Sequence, residues 1–303
     1  MAFAAFGSST PTTKGQTKSG RVVLALLLPG LLYLVLFFVI PLVSLVLTSL
    51  ETPAASGKIG EYVPGLDFGN YAYVATKYWP QIARSFGFAF IATIIALLIS
   101  YPLAYFIGVK ARPWPMLQRM LVTLVIAPFF ISFLLRTIAW KQLLADHSPI
   151  IEWAHQVGFL SPSQSFIGSN AAVVFGLVYN FIPFMTLPLY TSLERLDTRY
   201  LEAGSDLYAS PSKVFRKITL PLSMPGIISG TLLTFIPIAG DYVNASRDFL
   251  GSSNTSMIGT MVDADFLQNR NYPAASAMSV VLMGIILILV TWYVRKSGTE
   301  DLL

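Results

Sequence analysis

Two charged residues lie in or beside apolar stretches, where an ionised side chain is costly. Arg136 falls near the middle of one run, and a lone arginine at that depth of a bilayer costs at least ~2.5–3.5 kcal/mol. It therefore needs a partner, for which Asp241 and a second protein chain are the candidates, and a structural pair is favoured over contact with a cation. Asp241 and Tyr242 combine a carboxylate with an aromatic face, which suits an organic cation. Alternatively, Asp241 is the first residue of a solvated loop.

Two further groups combine polar and aromatic side chains. The first group lies within an apolar run and consists of Tyr179, Asn180 and Phe181. It either lines a path or packs between helices, and packing is slightly favoured. The second group lies between two runs and consists of Asp263, Asp265 and Phe266. It either attracts a cation, contacts another protein, or is simply solvated.

Several kinds of enzyme chemistry are excluded or disfavoured. The chain has no cysteine, so it has neither disulfides nor thiolate metal sites, and it lacks the G-x-x-x-x-G-K-[ST] phosphate loop. Acids next to His147 and His155 could ligate a metal, but solvated loop histidines are the favoured interpretation. We expect no catalytic residue, no metal and no cofactor in this chain.

The composition indicates a membrane protein. Hydrophobic residues make up 54% of the 303 residues and charged residues only 12%, whereas soluble domains carry about 25% charged residues. So few charges cannot cover a globule in water. The net charge of +5 comes from basic residues in short groups beside apolar runs, which is typical of membrane topology and not of a nucleic-acid-binding face.

Six apolar runs are long enough, at about 20 residues each, to cross a ~30 Å hydrocarbon layer. The sequence therefore predicts an all-α membrane protein with six transmembrane helices. The first run is too long for a signal peptide and precedes no cleavage site, so it is an anchor. The runs cover residues 22–50, 85–109, 117–144, 168–193, 226–246 and 274–294.

Prolines occur within most of these runs. A proline frees a backbone carbonyl, which lipid tolerates only beside another helix or a water-filled cavity. Such breaks suit a protein that lines a path, although ordinary kinked packing is the alternative. Gly226 and Gly230 form a small-xxx-small pair, a weak sign of close helix approach. The prolines are Pro29, Pro41, Pro102, Pro128, Pro183, Pro188 and Pro237.

The distribution of basic residues predicts the orientation. Thirteen of the 20 Lys and Arg residues lie on the side that contains both termini and the loop 194–220, and positive charge marks the cytoplasm. We therefore predict a flexible cytoplasmic tail over 1–21, a membrane domain over 22–296 and a second tail over 297–303.

The loop before the fifth run is predicted to form two short helices. Residues from Thr198 to Tyr208 are helix-permissive, and Ser210 with Pro211 then provides an N-cap followed by a first-turn proline. The second helix places Val214, Phe215 and Ile218 on one face. Two short helices fixed below the membrane can transmit force from a soluble partner to the spans.

This loop resembles the EAA loop of permeases from binding-protein-dependent ABC importers, whose pattern is E-A-A, three residues, G, and later I-x-L-P. Glu202 and Ala203 match, but Gly204 replaces the second alanine and Tyr208 replaces the usual glycine. We expect Tyr208 to move the turn onto Ser210 and Pro211. The match at the end of the loop comprises Ile218, Leu220 and Pro221.

The resemblance extends through most of the chain after residue 22. The stretches PFFISFLLRTIAW (128–140) and VYNFIPFMTLPLYTSL (178–193), and the segment from Gly240 to Ala277, resemble the first permease of spermidine/putrescine importers. Permeases for ferric iron, phosphonates and opines are similar, so these remain alternative substrates.

The resemblance implies a type I ABC importer fold in the bacterial inner membrane and a set of partners. These are an ATPase dimer that binds ATP and Mg²⁺, a second homologous permease or a second copy of this chain, an extracytoplasmic binding protein and membrane lipid. It also implies that the loop docks on the ATPase, through Glu202, Ala203, Gly204, Asp206, Tyr208, Ser210 and Pro211. A six-span enzyme or scaffold is the alternative. An enzyme would need titratable groups clustered at one membrane depth, and the sequence shows no such cluster. A scaffold would not require the pattern from Glu202 to Pro221.

Overall fold

A computed structural model of the chain describes residues 20–55, 57–158, 160–161 and 165–296. These residues divide into two compact units, with the boundary between Leu47 and Thr48. Most of the predicted amino-terminal tail, and all of the predicted carboxy-terminal tail 297–303, lie outside the described residues.

The first unit is an apolar helical segment. Helix α1 (Gly20–Leu34) continues through a π-helical turn (Val35–Val39) into α2 (Ile40–Thr48). The stretch Leu26–Thr48 has 23 residues and is apolar enough to cross a membrane. The predicted first span is therefore confirmed as a helix.

The second unit contains the remaining elements, which are helical except for one pair of two-residue strands. The strands β1 (Thr52–Pro53) and β2 (Tyr62–Val63) pair antiparallel, a small departure from the all-α prediction. The helices are α3 (Gly69–Lys77), α4 (Trp79–Tyr105), α5 (Pro115–Ile126), α6 (Phe133–Leu143), α7 (Pro149–Gln156), α8 (Asn170–Glu194), α9 (Thr198–Asp206), α10 (Pro211–Val214), α11 (Leu220–Leu222), α12 (Met224–Ala239), α13 (Ile258–Asp263) and α14 (Tyr272–Lys296).

Three helices of this unit are long and apolar enough to span a membrane alone: α4 with the π-helical turn Phe106–Lys110, α8 and α14. Helix α8 stays continuous through Pro183 and Pro188, so the prediction that prolines interrupt this span is wrong. Within the described residues, four helices qualify alone, and the number reaches six if each of two bent pairs is one span.

The predicted third span, 117–144, is sharply bent. Helix α5 leads into a 3₁₀ turn (Ala127–Phe130), Ile131 is extended, and α6 then leaves at 94° to the preceding segment. Pro128 cannot donate a backbone hydrogen bond, which favours a break at this position. This part of the chain is therefore a broken or re-entrant segment and not a straight span.

The predicted fifth span, 226–246, ends early. Helix α12 stops at Ala239, and residues 240–257 form turns. After Gly240, the Asp241 carboxylate accepts a hydrogen bond from the backbone N–H of Asn244 at 2.8 Å, which stabilises a turn where a helix would otherwise continue. On the other side, α12 joins the segment Pro211–Leu222 at an angle of 63°.

The core of the unit lies where α4, α8 and α12 pack together. Helix α4 presents small side chains to this contact, Ala89, Ala92 and Ala96, all fully buried. Helix α8 contributes large ones, among them Met185 and Leu189. Small residues facing large ones let membrane helices approach closely, since packing and not hydrophobicity holds helices together in lipid.

Gly226 and Gly230 lie at the closest approach of α12 to α8. A Cβ atom on Gly226 would lie 2.6 Å from Ser192 Cβ and 2.8 Å from the Pro188 carbonyl oxygen. One on Gly230 would lie 2.9 Å from Met185 Sδ. The predicted close approach is confirmed.

Replacing Gly226 by alanine is therefore expected to push α12 away from α8 and to destabilise the protein by about 1–3 kcal/mol, the usual cost of overpacking. The measurement is thermal unfolding of the detergent-purified protein. The matched control is Gly87→Ala in α4, because a Cβ there meets no atom within 4 Å. Equal melting temperatures for the two variants would contradict the packing argument.

Candidate coupling loop and transport path

The loop between α8 and α12 contains both predicted short helices. Asp197 caps α9, and its Oδ1 accepts a hydrogen bond from the Arg199 N–H at 3.0 Å. Gly204 is the buried residue of α9, and a Cβ there would lie 3.0 Å from Ile218 Cδ1 and 3.1 Å from Val214 Cγ2. Glycine at this position therefore lets the two helical segments pack closely. The other predicted docking residues are exposed: Glu202, Ala203, Asp206, Tyr208, Ser210 and Pro211.

Tyr208 ends α9 in a conformation that favours glycine. Its φ is +56°, its side chain is fully exposed, and its N–H donates to the Ser205 carbonyl at 2.9 Å. The Ala209 N–H donates to the Gly204 carbonyl at 3.1 Å. This pair of bonds is a Schellman motif, in which the left-handed residue is usually glycine. The expectation that Tyr208 shifts the turn onto Ser210 and Pro211 is therefore wrong, because Tyr208 itself adopts the left-handed conformation.

Replacing Tyr208 by glycine is expected to stabilise the loop by roughly 0.5–1 kcal/mol, because glycine adopts φ > 0 without steric cost although it has more freedom to lose on folding. Tyr208→Val should destabilise it, since a β-branched side chain fits this region poorly. The measurement is the rate of tryptic cleavage at the exposed Arg199 and Lys213, slower than wild type for glycine and faster for valine. Identical rates would show that the left-handed conformation carries no strain.

The second half of the loop is attached to the core helices. Pro211 is the first residue of α10 as predicted, although the Ser210 hydroxyl makes no capping hydrogen bond. The Phe215 ring packs edge-on against the Tyr101 ring of α4, with 5.5 Å between centroids. The Tyr101 hydroxyl lies 2.8 Å from Ser223 Oγ, at the start of α12. A displacement of the loop would therefore act directly on α4 and α12.

A cavity of 810 Å³ opens beside this loop. Its lining at the loop end consists of Arg195, Asp197 and Tyr200. The rest of the lining includes Phe184 of α8 and Phe129 of the bend before α6. Because its walls come from segments far apart in the sequence, no local pattern could have indicated it.

Asp241 belongs to a buried polar network. The structure excludes the alternative of a solvated Asp241, which is only 7% exposed. Its Oδ2 accepts from the Asn244 side-chain amide at 3.1 Å. Asn244 Oδ1 accepts from Asn180 Nδ2 at 3.2 Å, and Asn180 Nδ2 also donates to Thr137 Oγ1 at 3.2 Å. The network thus links the turn after α12 to α8 and to α6.

Arg136 does not pair with Asp241, so that prediction is wrong. Within the part of the chain that the structure describes, Arg136 forms no ion pair, and its Nε and Nη1 atoms are buried without a hydrogen-bond partner. The guanidinium lies 5.9 Å from the centre of the Phe133 ring. The alternative that a residue of a second chain pairs with Arg136 stays a prediction.

The remaining mid-chain candidates pack against aromatic rings. Tyr179 lies edge-on to Trp140, with 5.1 Å between centroids. The Phe181 ring packs against Phe133 at 6.1 Å and against Phe184 at 5.7 Å. The interpretation of these two residues as helix packing therefore fits the structure, whereas Asn180 belongs to the polar network.

The two acids at the other end of the unit differ in their surroundings. Asp265 is buried and accepts hydrogen bonds of 2.7 Å from the Tyr78 hydroxyl and from Asn269 Nδ2, so it is not solvated. Burial and the hydrogen bond to Asp265 raise the pKa of Tyr78, so its hydroxyl stays protonated and acts as the donor. Asp263 is half-buried and lines a second cavity of 400 Å³ with Tyr242 and Phe266.

The comparisons with known proteins agree with this arrangement. Residues 102–296 match the family described as binding-protein-dependent transport system inner membrane component. The chain belongs to this family. It is 34% identical to the spermidine/putrescine transport system permease protein PotB of Haemophilus influenzae, over 88% of this chain and 90% of that protein. Identity to PotB of Escherichia coli K12 is also 34%, over 88% and 94%.

The fold of the permease is also found in a solved importer. The match is to a bacterial alginate ABC transporter in complex with an alginate pentasaccharide-bound periplasmic protein, with a TM-score of 0.64 and 14% identity over 92% of this chain and 94% of that chain. Identity this low supports the fold alone. The chain is thus a multi-pass permease of the bacterial inner membrane.

The permease has three features that sequence reasoning missed. Two of them are Thr137 and Asn244, which complete the polar network. Only the i, i+3 spacing of Asp241 and Asn244 could have indicated the turn that these two residues form. Tyr101 joins the loop to the core, and nothing in its sequence context marks it. The exposed α9 thus belongs to a loop that is attached to α4 through Phe215 and that borders the cavity.

Proposed function

We propose that this permease imports polyamines of the spermidine/putrescine class by alternating access. The observation that carries the proposal is the 34% identity over 88% of the chain to permeases named for spermidine and putrescine transport. The resemblance of the three long stretches to the same subfamily supports it independently of the fold.

The charges at the end of the unit opposite the coupling loop support a cationic substrate. Helix α12 runs from the loop to Ala239, so Asp241, Asp263 and Asp265 lie near its other end. No described Lys or Arg forms an ion pair with any of them. Asp241 and Asp265 accept hydrogen bonds within the protein, and Asp265 shares a cavity with Lys58 and Lys77. Asp263 is the acid among the three with which no described residue pairs, and such a carboxylate favours a cationic ligand.

The energy comes, in this proposal, from a separate ATPase dimer that binds ATP and Mg²⁺ and docks on α9. This chain is then a transport subunit and not an enzyme. A second permease completes the membrane path, and an extracytoplasmic binding protein delivers the substrate. The exposed residues of α9 and the contacts of Phe215 with Tyr101 support this coupling route.

The test is uptake by the complete transporter reconstituted in proteoliposomes with ATP inside and binding protein outside. Labelled spermidine, ferric ion and aminoethylphosphonate are offered separately at equal concentration. We expect ATP-dependent accumulation of spermidine alone. Accumulation of ferric ion or phosphonate without spermidine would overturn the substrate, and retention of the ATPase after deletion of 198–212 would overturn the coupling route.

A further inference from the structure

The 400 Å³ cavity near Asp263 combines features that a binding site for an alkylammonium group requires. It lies between the turn after α12, the segment around α13 and helix α14. Its lining includes the Asp263 carboxylate, the Tyr242 and Phe266 rings and the apolar side chain of Leu282. The two rings are 52% and 51% exposed, so their surfaces are open to a ligand. The volume is within the ~300–1,000 Å³ range of small-molecule sites.

Asp263 differs from the two acids near it. Asp241 accepts hydrogen bonds from the backbone and from the side chain of Asn244, and Asp265 accepts from Tyr78 and Asn269. No described residue donates a hydrogen bond to the Asp263 carboxylate or forms an ion pair with it, and no Lys or Arg lines the cavity. Both of its oxygens are therefore free to accept hydrogen bonds from a ligand.

The donors and acceptors of the cavity select the class of ligand. An ammonium group gains a charge-assisted hydrogen bond from a carboxylate and cation–π attraction of about 0.5–2 kcal/mol from an aromatic ring. A bare metal ion needs several oxygen ligands, and the Ser279 hydroxyl in the lining already donates to the Ala275 carbonyl at 2.9 Å. The apolar wall suits the methylenes next to an ammonium group.

We propose that this cavity binds the primary ammonium end of a linear aliphatic amine after the binding protein releases it. This inference rests on the proposed polyamine transport and assigns its outer subsite. Asp263 holds the ammonium group, Tyr242 and Phe266 flank it, and Leu282 contacts the first methylenes.

The experiment measures two quantities on the same proteoliposomes, spermidine uptake and ATP hydrolysis stimulated by the loaded binding protein. We expect Asp263→Asn to lower uptake at least ~10-fold, which corresponds to ~1.4 kcal/mol, while ATP hydrolysis stays within about two-fold of wild type. Asp263→Glu should retain uptake because it keeps the charge. Asp248→Asn is the control, since it removes an exposed acid that does not line the cavity.

The aromatic wall provides a second and independent pair of variants. Phe266→Leu should lower uptake several-fold by removing cation–π attraction, whereas Phe266→Tyr should retain it. If Asp263→Asn does not assemble, this pair decides the question.

The outcomes separate the subsite from the function. Wild-type uptake of spermidine with unchanged uptake by Asp263→Asn, or an equal loss in Asp248→Asn, would overturn the subsite alone. If the Asp263→Asn variant does not assemble and cannot be measured, equal uptake by Phe266→Leu and Phe266→Tyr would overturn the subsite. Failure of the wild type to take up any polyamine would overturn the proposed function itself.

Discussion

Reversing the charge of Glu202 is expected to separate the permease from its ATPase without unfolding it. In the variant Glu202→Lys, we expect the ATPase to be lost during co-purification and ATP-driven uptake to fall at least 100-fold. Both effects have one cause, because a permease that does not hold its ATPase has no source of energy. The melting temperature of the purified permease should stay close to that of the wild type.

The structure gives reasons for both halves of this expectation. Glu202 is exposed on α9, and no described residue forms an ion pair or side-chain hydrogen bond with it. Substitutions at such surface positions change stability by about 0.5 kcal/mol or less. At a protein interface, placing like charges together costs several kcal/mol, and each ~1.4 kcal/mol is ten-fold in affinity.

The matched control is Arg119→Glu, which reverses an exposed charge on the same predicted side of the membrane but outside the coupling loop. It should leave co-purification unchanged. Full ATPase retention by Glu202→Lys would remove Glu202 from the docking surface. Equal loss in both variants would point to the overall charge of the cytoplasmic face and not to α9.

The spans could be predicted because burial in lipid depends on local composition. Runs of apolar residues near 26–48, 170–194 and 272–296 form the expected helices. The 94° bend before α6 could not be predicted, although Pro128 marked a break. A proline removes one hydrogen bond locally, but the direction of the chain after it depends on contacts such as that of Trp140 with Phe175, whose ring centroids are 4.7 Å apart.

The coupling loop also combines features that the sequence predicted correctly with one that it predicted wrongly. The first helix begins at the Asp197 cap and the second at Pro211, a proline at the first helical position, and both are local signals. The role of Tyr208 was predicted wrongly, because the Schellman motif fixes the left-handed residue by its distance from the helix end and not by its type. Glycine is favoured there, but the hydrogen bonds to Ser205 and Gly204 form with tyrosine as well.

The polar network around Asp241 depends on contacts between segments far apart in the chain. Asn180 is 43 residues from Thr137 and 64 residues from Asn244, so no spacing rule connects them. The sequence identified Asp241 as a costly charge, but it could not show that Asn244 satisfies both carboxylate oxygens. This distinction changes what a mutation of Asp241 is expected to do.

Replacing Asp241 by asparagine is expected to impair transport by loosening the turn after α12. The asparagine can still accept from the Asn244 backbone, but its own amide group would face the Asn244 amide and lose that hydrogen bond. A lost bond to a buried charged group costs about 1.5–3 kcal/mol. We expect a lower melting temperature and spermidine uptake reduced roughly ten-fold, in proportion to the loss of the ordered turn.

The variant Asn244→Ala tests this cause directly, because it breaks the same side-chain contact and keeps the charge of Asp241. It also removes the acceptor of Asn180, so the network is lost from both directions. If the turn is what matters, Asn244→Ala should lose at least as much melting temperature and maximal uptake as Asp241→Asn, and neither variant should change the preference between spermidine and putrescine. If the carboxylate instead contacts the substrate, Asp241→Asn alone should lose transport while Asn244→Ala loses only stability. That second pattern would show that the Asp241 carboxylate contacts the substrate and does not act only by stabilising the turn.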